Sequence, residues 1–470
     1  MTSDRHQRAA QLIEAGRQDE AFDIANALLN ENADDPRALY LMGTLHADSG
    51  RLGMAHAFFA RAVQISPGRP EAWNNLGMVL QHLWRSEEAR DAFRRALKLR
   101  PEHAHYLANL ATTYVENGDP ERAAGYARRA LASDPTHDGA ALTLGFAQLT
   151  QGNWRDGWRG YARSLGGSHR KRLDYGLAEW HGEPGAAVVI YGEQGLGDEV
   201  MYASCLPDAQ RVAERLALDC DRRLQSLFAR SFQDIEVHGT RHDPSNDWCD
   251  RSRWTHQCPI GRLPELFRGS WTACPGTPYL RPADELLVMY EALQAMQAGD
   301  RPRVGLAWSG GIASSGASRR EMGLEAWRPF IEAHPEYAFF SLQYCDSAAD
   351  EIAASGLPVQ HFRAAVGKGA AMDHTAAYIR CLDLVLGPPT TAHHLAGAMG
   401  VSSVTLVPAL HGWMFGAYQG DRFCWFRSCA LFRQRAGESW IDTVRRFDDE
   451  HVPVVRAVRG GAAGALQLAA

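Results

Sequence analysis

Lysine is nearly missing from this 470-residue chain: only Lys98, Lys171 and Lys368 carry an ammonium group, and arginine supplies almost all of the positive charge. The formal net charge of -6 removes any general attraction to nucleic acid or to an anionic membrane. An anionic ligand would have to be held by local basic groups. No apolar run approaches the ~20 residues that span a bilayer, and the polar stretch Met1 to Ala10 lacks the apolar core of a secretory signal. These absences predict a cytoplasmic protein with no stable membrane insertion. The nine cysteines (Cys205, Cys220, Cys249, Cys258, Cys274, Cys345, Cys381, Cys424 and Cys429) form no CxxC pair, so reduced structural thiols are expected. Cys249, Cys258, Cys274 and His256 are spaced too irregularly for a usual zinc pattern.

What is present is a globular composition, 45% hydrophobic and 22% charged, in a chain long enough for about three domains. A 34-residue period occupies the first third: Pro67, Pro101 and Pro135 are in register, as are Ala55, Ala89 and Ala123, then Ala62, Ala96 and Ala130. Gly43, Gly77 and Gly145 share a further register, with Ala111 in the gap. Small residues at these offsets let paired helices approach closely, and each proline closes a unit. The pattern resembles a tetratricopeptide array, best in Pro70 to Pro101 with Trp73, Leu76, Gly77, Ala89, Phe93, Ala96 and Pro101. A degenerate unit precedes Pro36. The last unit begins near Asp138 and ends in Gly152 to Tyr161, where Trp154, Trp158 and Tyr161 replace small residues, as expected where a solenoid docks onto another domain. The basic stretch His169 to Arg172 reads as a solvated linker.

From Ala186 short apolar runs alternate with helical segments, the pattern of doubly wound α/β domains. The first such run enters Gly192-Glu193-Gln194-Gly195-Leu196-Gly197-Asp198-Glu199, followed by a helical segment expected over Val200 to Ala213. Val200 stands where a dinucleotide fingerprint needs a third glycine or alanine, and no Gly-Lys-Ser/Thr of a phosphate loop follows. Taken alone, the turn reads equally as a connector or as an active-site turn bringing backbone and a carboxylate to a ligand. A second domain begins at Arg303, after a plausible hinge at Ala298 to Pro302, and its strand enters Ser309, Gly310 and Gly311. The loop from Ser309 to Arg320 is glycine- and serine-rich, and Arg320 is its expected phosphate contact. Gln343, at the end of the run Phe339 to Gln343, is placed to meet a nucleobase or ribose. After Leu382 to Leu386, Thr390 and Thr391 open a helix whose first N–H groups, hydroxyls and dipole suit a diphosphate; capping alone is the competing reading. His394 lies further along the same face, facing the ligand or structural. Lys368 reads as a solvated loop tip, and Asp219-Cys220-Asp221 as structural rather than metal-binding, with Arg222 and Arg223 competing for the carboxylates.

Taken together, Gly192 to Asp198, Pro259 to Pro264, Ser341 to Gln343, Asp383 to Leu386, His394 to Gly400 and Leu431 to Gln434 resemble bacterial tetratricopeptide proteins whose carboxyl-terminal half is a two-Rossmann GT-B glycosyltransferase. The similarity extends more distantly to heptosyltransferases and to transferases that attach N-acetylglucosamine to protein hydroxyls. The resemblance implies an inverting, metal-independent transfer from a nucleotide-sugar donor, used as substrate with no cofactor, to a hydroxyl on a protein held by the repeats, flagellin or another surface protein. It implies Asp198 as catalytic base. For the donor it implies Gln343, Thr390 and Thr391, to which the reading of the residues themselves adds Gly195, Gly197, Ser309, Gly310, Arg320 and His394. Two positions depart from the family pattern: Pro389 replaces an aspartate before the threonines, and Asp346 replaces a lysine. Those departures keep a non-catalytic scaffold as the rival reading. The expected organisation is repeats over 1–164, a linker over 165–184, an acceptor domain over 185–300, a nucleotide-sugar domain over 301–458 and a loose tail over 459–470.

Overall fold

The computed structural model describes residues 2–166, 170–243, 245–310, 320–367, 369–409, 412–416 and 420–457, with side chains described only between 4 and 450. His169, the loop stretch 311–319, Lys368 and the tail 459–470 lie outside the described residues. The chain divides into two compact units, Met1–Gln148 and Leu149–Ala470.

The first unit is built of antiparallel helix pairs: α1 (Thr2–Glu14), α2 (Gln18–Glu31), α3 (Pro36–Asp48), α4 (Leu52–Ile65), α5 (Pro70–His82), α6 (Ser86–Leu99), α7 (Ala104–Glu116) and α8 (Pro120–Ser133), followed by α9 (Asp138–Thr150). Starts at Pro36, Pro70, Ala104 and Asp138 repeat every 34 residues, and α1 with α2 is the degenerate pair before Pro36. Proline opens α3, α5 and α8, where its missing N–H breaks no helical bond. Asp35 and Asp119 cap their helices by accepting from the N–H groups of Arg37, Ala38 and Arg122. Gly43 and Gly77 have no room for a side chain, since a β-carbon would stand 2.7 Å from the rings of Phe59 and Phe93. In the next repeat the glycine becomes Ala111 and the phenylalanine position becomes Ala127, both fully buried. The turns within pairs use left-handed glycines, Gly50, Gly118 and Gly152, but Trp84 fills the equivalent position at φ 60, a conformation costing about 1–2 kcal/mol for a residue with a β-carbon.

The second unit opens with α10 (Trp154–Ala162) and contains two parallel sheets. The first joins β1 (Ala178–Glu179), β2 (Ala187–Tyr191), β3 (Arg215–Asp219), β4 (Ile235–His238) and β5 (His256–Pro259) in the order β1-β5-β2-β3-β4. The second joins β6 (Arg303–Leu306), β7 (Ala338–Ser341), β8 (Val359–Gln360), β9 (Leu384–Gly387), β10 (Ser403–Val407) and β11 (Cys429–Arg433) in the order β11-β10-β9-β6-β7-β8. Counted from β6, this is the doubly wound order 3-2-1-4-5-6; β2 to β5 repeat its 3-2-1-4 core. Strands covered on both faces read as near-continuous apolar runs; Ala-Val-Val-Ile-Tyr of β2 and Ser-Val-Thr-Leu-Val of β10, the latter with two small hydroxyl residues, are buried at every position. The fold is therefore a helical repeat array followed by parallel α/β sheets.

Three expected boundaries move. Residues 170–184 are no solvated linker: Arg170, Tyr175 and Trp180 are buried, and β1 pairs with β5. The helix expected over 200–213 starts earlier, as α11 (Leu196–Tyr202), and passes through a tighter turn into Leu206–Val212. Pro207, which cannot donate to the preceding turn, sits in the first turn of that new helix. The helix Asp284–Ala298, assigned to the acceptor domain, packs on the second half instead: Gln294 donates to the Tyr378 carbonyl at 2.8 Å and Tyr290 stacks edgewise on Tyr378. Gly299 and Pro302 end a helix already docked on the domain that follows.

Candidate active site

In a doubly wound sheet the ligand crevice lies beyond the carboxyl ends of the strands, where the order reverses. Those points fall between β2 and β5 in one sheet and between β6 and β9 in the other. The four exits are Gly192–Asp198, Pro259–Gly261, Ala307–Gly310 and Gly387–Thr391, and close backbone approach brings them together. A β-carbon on Gly197 would stand 2.9 Å from His394 Cδ2 and 3.7 Å from Thr391 Oγ1. One on Gly310 would stand 2.5 Å from Thr390 Cγ2, and one on Gly387 2.7 Å from the Ala307 carbonyl. Gly197 and Gly310 of the expected site thus act by permitting contact between turns.

Asp198 lies in the first turn of α11, half-buried, with Oδ2 accepting the Gly195 N–H at 3.3 Å. Burial raises its pKa to about 6, against the opposing pull of that N–H and of Arg170, Arg320 and Arg241. Across the crevice, burial lowers the Arg320 pKa while Asp198 opposes the shift, and its Nη1 reaches the Pro389 carbonyl at 3.4 Å. Thr390 is the N-cap of the helix Thr391–Ala398, with Oγ1 3.2 Å from His393 Nδ1. His394 is 9% exposed and packs edgewise on Phe426. Burial first, then Arg320, lowers its pKa to about 4, so it is neutral at physiological pH.

The structure brings Asp198, Gly195, Gly197, Gly310, Arg320, Thr390, Thr391 and His394 together where the strand exits of the two sheets meet. Gln343 and Ser309 are engaged with each other: Gln343 Oε1 accepts the N–H groups of Trp308 and Ser309 at 3.1 and 2.9 Å, and its Nε2 donates to Ser309 Oγ at 2.5 Å. At 3% exposure, Gln343 holds the β6 turn rather than projecting from it. Asp219 accepts from the Tyr175 hydroxyl and from Thr240, while Asp221 pairs with Arg223 and Arg241, so both carboxylates are spent within the fold. Arg222 reaches Asp243 instead.

Sequence reasoning missed a layer beneath the turn. Glu193 accepts from Arg170 at 2.9 Å and from the Gly261 N–H at 3.1 Å. Glu199 faces Arg241 at 2.7 Å and accepts the Asp221 N–H at 3.0 Å. Gly192 is bare because Glu199 packs 2.6 Å from where its β-carbon would be. Tyr161 of α10 receives Gln194 on its hydroxyl, and Trp158 donates to the Arg268 carbonyl at 3.0 Å. Two acids inside a glycine turn were the visible signal; their arginine partners left none.

Family models described as tetratricopeptide repeat match residues 36–69 and 69–136. Over 406 residues, 82% of this chain, the protein is 27% identical to Protein FlbA of Caulobacter vibrioides and covers 67% of it. Over 97 residues, 21% of this chain, it is 33% identical to the peroxisomal targeting signal receptor of Saccharomyces cerevisiae, of which it spans 16%. Among solved structures, MamA from Desulfovibrio magneticus RS-1 aligns with 34% of this chain and 92% of its own at 18% identity and a TM-score of 0.32. A thermophilic TPR protein of Thermus thermophilus aligns with 36% and 92% at 22% identity and a TM-score of 0.31. No helix of the described residues is long and apolar enough to cross a membrane.

Proposed function

We propose that the α/β unit is a GT-B-type glycosyltransferase that moves a sugar, with inversion and without a metal, from a nucleotide donor to a hydroxyl on a protein recruited by the repeats. One observation carries this reading: Asp198, a half-buried carboxylate, lies opposite Arg320 and the Thr390–Thr391 helix start at the carboxyl ends of two parallel sheets. The acceptor oxygen attacks the anomeric carbon as its proton passes to Asp198. The bond to the diphosphate breaks, its electron pair leaves with the nucleotide, and Arg320 with the first N–H groups of the Thr391–Ala398 helix meets the developing charge. A base with a pKa near 6 is ionised at neutral pH and still basic enough to accept that proton.

The tetratricopeptide repeats support a protein acceptor, since such arrays present extended surfaces for peptides. A flagellin or another surface protein is the acceptor class we favour, from the family resemblance. Intact-mass analysis of candidate acceptors, incubated with UDP-, GDP-, CMP- and ADP-linked sugars, tests the reading. A mass increase of one glycosyl unit that Asp198→Asn abolishes supports it; no increase with any donor rejects it.

The second reading is a scaffold whose α/β unit does no chemistry. Pro389 in place of an acid favours it, as does a Gln343 amide already engaged by Trp308 and Ser309. Asp346 faces Arg363 at 4.0 Å, where the family pattern has a lysine. Calorimetry with the same donors separates the two, because a scaffold binds none of them or binds without turnover.

A further inference from the structure

Two arginine–carboxylate pairs lie buried beneath the Gly192–Glu199 turn, and the transfer step uses neither. Arg170 is 3% and Glu193 5% exposed; Arg241 is 7% and Glu199 0% exposed. Buried ion pairs are weak stabilisers compared with apolar packing of the same volume, so two of them under one turn call for a reason other than stability. The bonds they make supply one. Arg241 Nη1 lies 2.7 Å from the Gln194 carbonyl and 2.7 Å from Glu199 Oε1, spanning the turn from the residue before Gly195 to the residue after Asp198. Arg170 joins Glu193 to the Tyr161 carbonyl at 2.8 Å and the Ser164 hydroxyl at 3.0 Å, while Glu193 fixes the Gly261 N–H of the neighbouring exit. The turn is clamped on both sides of its carboxylate.

Resting on the assignment of Asp198 as base, we infer that Arg170 and Arg241 are positioning residues that hold the Gly192–Glu199 turn and, through it, the Asp198 carboxylate in place. The groups facing Asp198 are Glu193 and Tyr202 from its own turn and helix, and Tyr161 from α10. Arg170 precedes β1, Arg241 follows β4, and Arg320 and His394 belong to the second sheet. Burial, with the Glu193 carboxylate, favours the protonated acid; the Gly195 N–H and the arginines oppose them. Arg320 is also the proposed ligand of the donor diphosphate, which leaves Arg170 and Arg241 as cations with no other task at the site.

The test is a carboxyl ¹³C titration of the full-length, aspartate-labelled protein, with the Asp198 signal identified by its loss in Asp198→Asn. The wild-type midpoint is expected at about 6, and Arg170→Gln and Arg241→Gln should each raise it by about one unit. An unmoved midpoint in folded Arg170→Gln or in folded Arg241→Gln overturns the inference. With an active donor, Arg241→Lys should lower kcat about tenfold through loss of the fork that holds the turn while the donor KM stays unchanged. A titration that moves in a protein inactive with every donor sinks the transferase reading and leaves the electrostatic role standing. An unmoved titration in an active protein does the reverse.

Discussion

Gly197 and His394 touch across the crevice: a β-carbon on the glycine would come within 2.9 Å of the imidazole Cδ2. The contact joins the exit of the first sheet to the helix that starts at Thr390–Thr391, so the distance between the proposed base and the proposed donor-binding groups depends on it. Gly197→Ala gains about 1 kcal/mol of helix propensity and loses about 1–3 kcal/mol to overpacking against the ring. The thermal midpoint should therefore move little. Turnover should drop at least about tenfold, because a shift of ~1 Å in a reacting group costs up to a hundredfold. A variant with wild-type turnover would show that the two faces need not stay in register.

The raised pKa of Asp198 carries a sign for stability as well as for rate. Its folded value of about 6 lies above the ordinary carboxylate value of 3.8, so between these the folded state binds more protons than the unfolded one. Stability from this group is complete below pH ~4 and is lost as the pH rises through 6. Asp198→Asn should therefore stabilise the protein above pH 6 and change nothing near pH 3.5. The gain is bounded by about 3 kcal/mol and reduced by the partial exposure of the carboxyl group. Urea titrations at pH 4 and pH 7.5 measure it, and the same variant should retain donor binding while losing turnover. A variant destabilised at pH 7.5 would place the ionised carboxylate in a favourable site and contradict the raised pKa.

Much of this arrangement could be read in the sequence because close packing leaves a periodic trace. Helix pairs that need Gly43 and Gly77 under Phe59 and Phe93 repeat the need every 34 residues, and strands buried on both faces, such as β2, read as unbroken apolar runs. The edge strand β1 is two residues long and half exposed, so no run announces it. Gly299 and Pro302 mark a chain reversal, and reversals occur inside domains as readily as between them. Arg170 and Glu193 are 23 residues apart in the chain, and a pairing made by the fold leaves no local pattern. For that reason the layer that supports Asp198 emerged only from the structure, although Asp198 itself did not.

Trp158 is the centre of an aromatic cluster around α10. Its ring lies 5.8 Å from Trp154, 5.5 Å from Tyr161, 5.2 Å from Trp413 and 6.4 Å from Trp425, and its N–H bonds the Arg268 carbonyl. Trp413 and Trp425 belong to the second sheet's half and Arg268 to the first, so the residue holds α10 to both. Trp158→Ala should cost about 3–5 kcal/mol in the transition of the Leu149–Ala470 unit. Denaturation followed by tryptophan fluorescence reports it, and a loss below about 1 kcal/mol would mean that the ring is replaceable by repacking.

The repeats contain their own control for the packing argument. Gly77 cannot accept a β-carbon beside Phe93, yet the following repeat places Ala111 and Ala127 at the equivalent positions, both fully buried. Gly77→Ala alone should destabilise the Met1–Gln148 unit by about 1–3 kcal/mol through overpacking. Phe93→Ala alone should cost about 3–5 kcal/mol through the cavity it leaves. In the double variant the new methyl group enters part of that cavity and the alanine no longer meets a ring. The double variant should therefore lose less than the sum of the two, with a coupling of about 1–2 kcal/mol. Additivity within about 0.5 kcal/mol would show that the helices move apart to admit the methyl group. Close approach would then not be what requires the glycine.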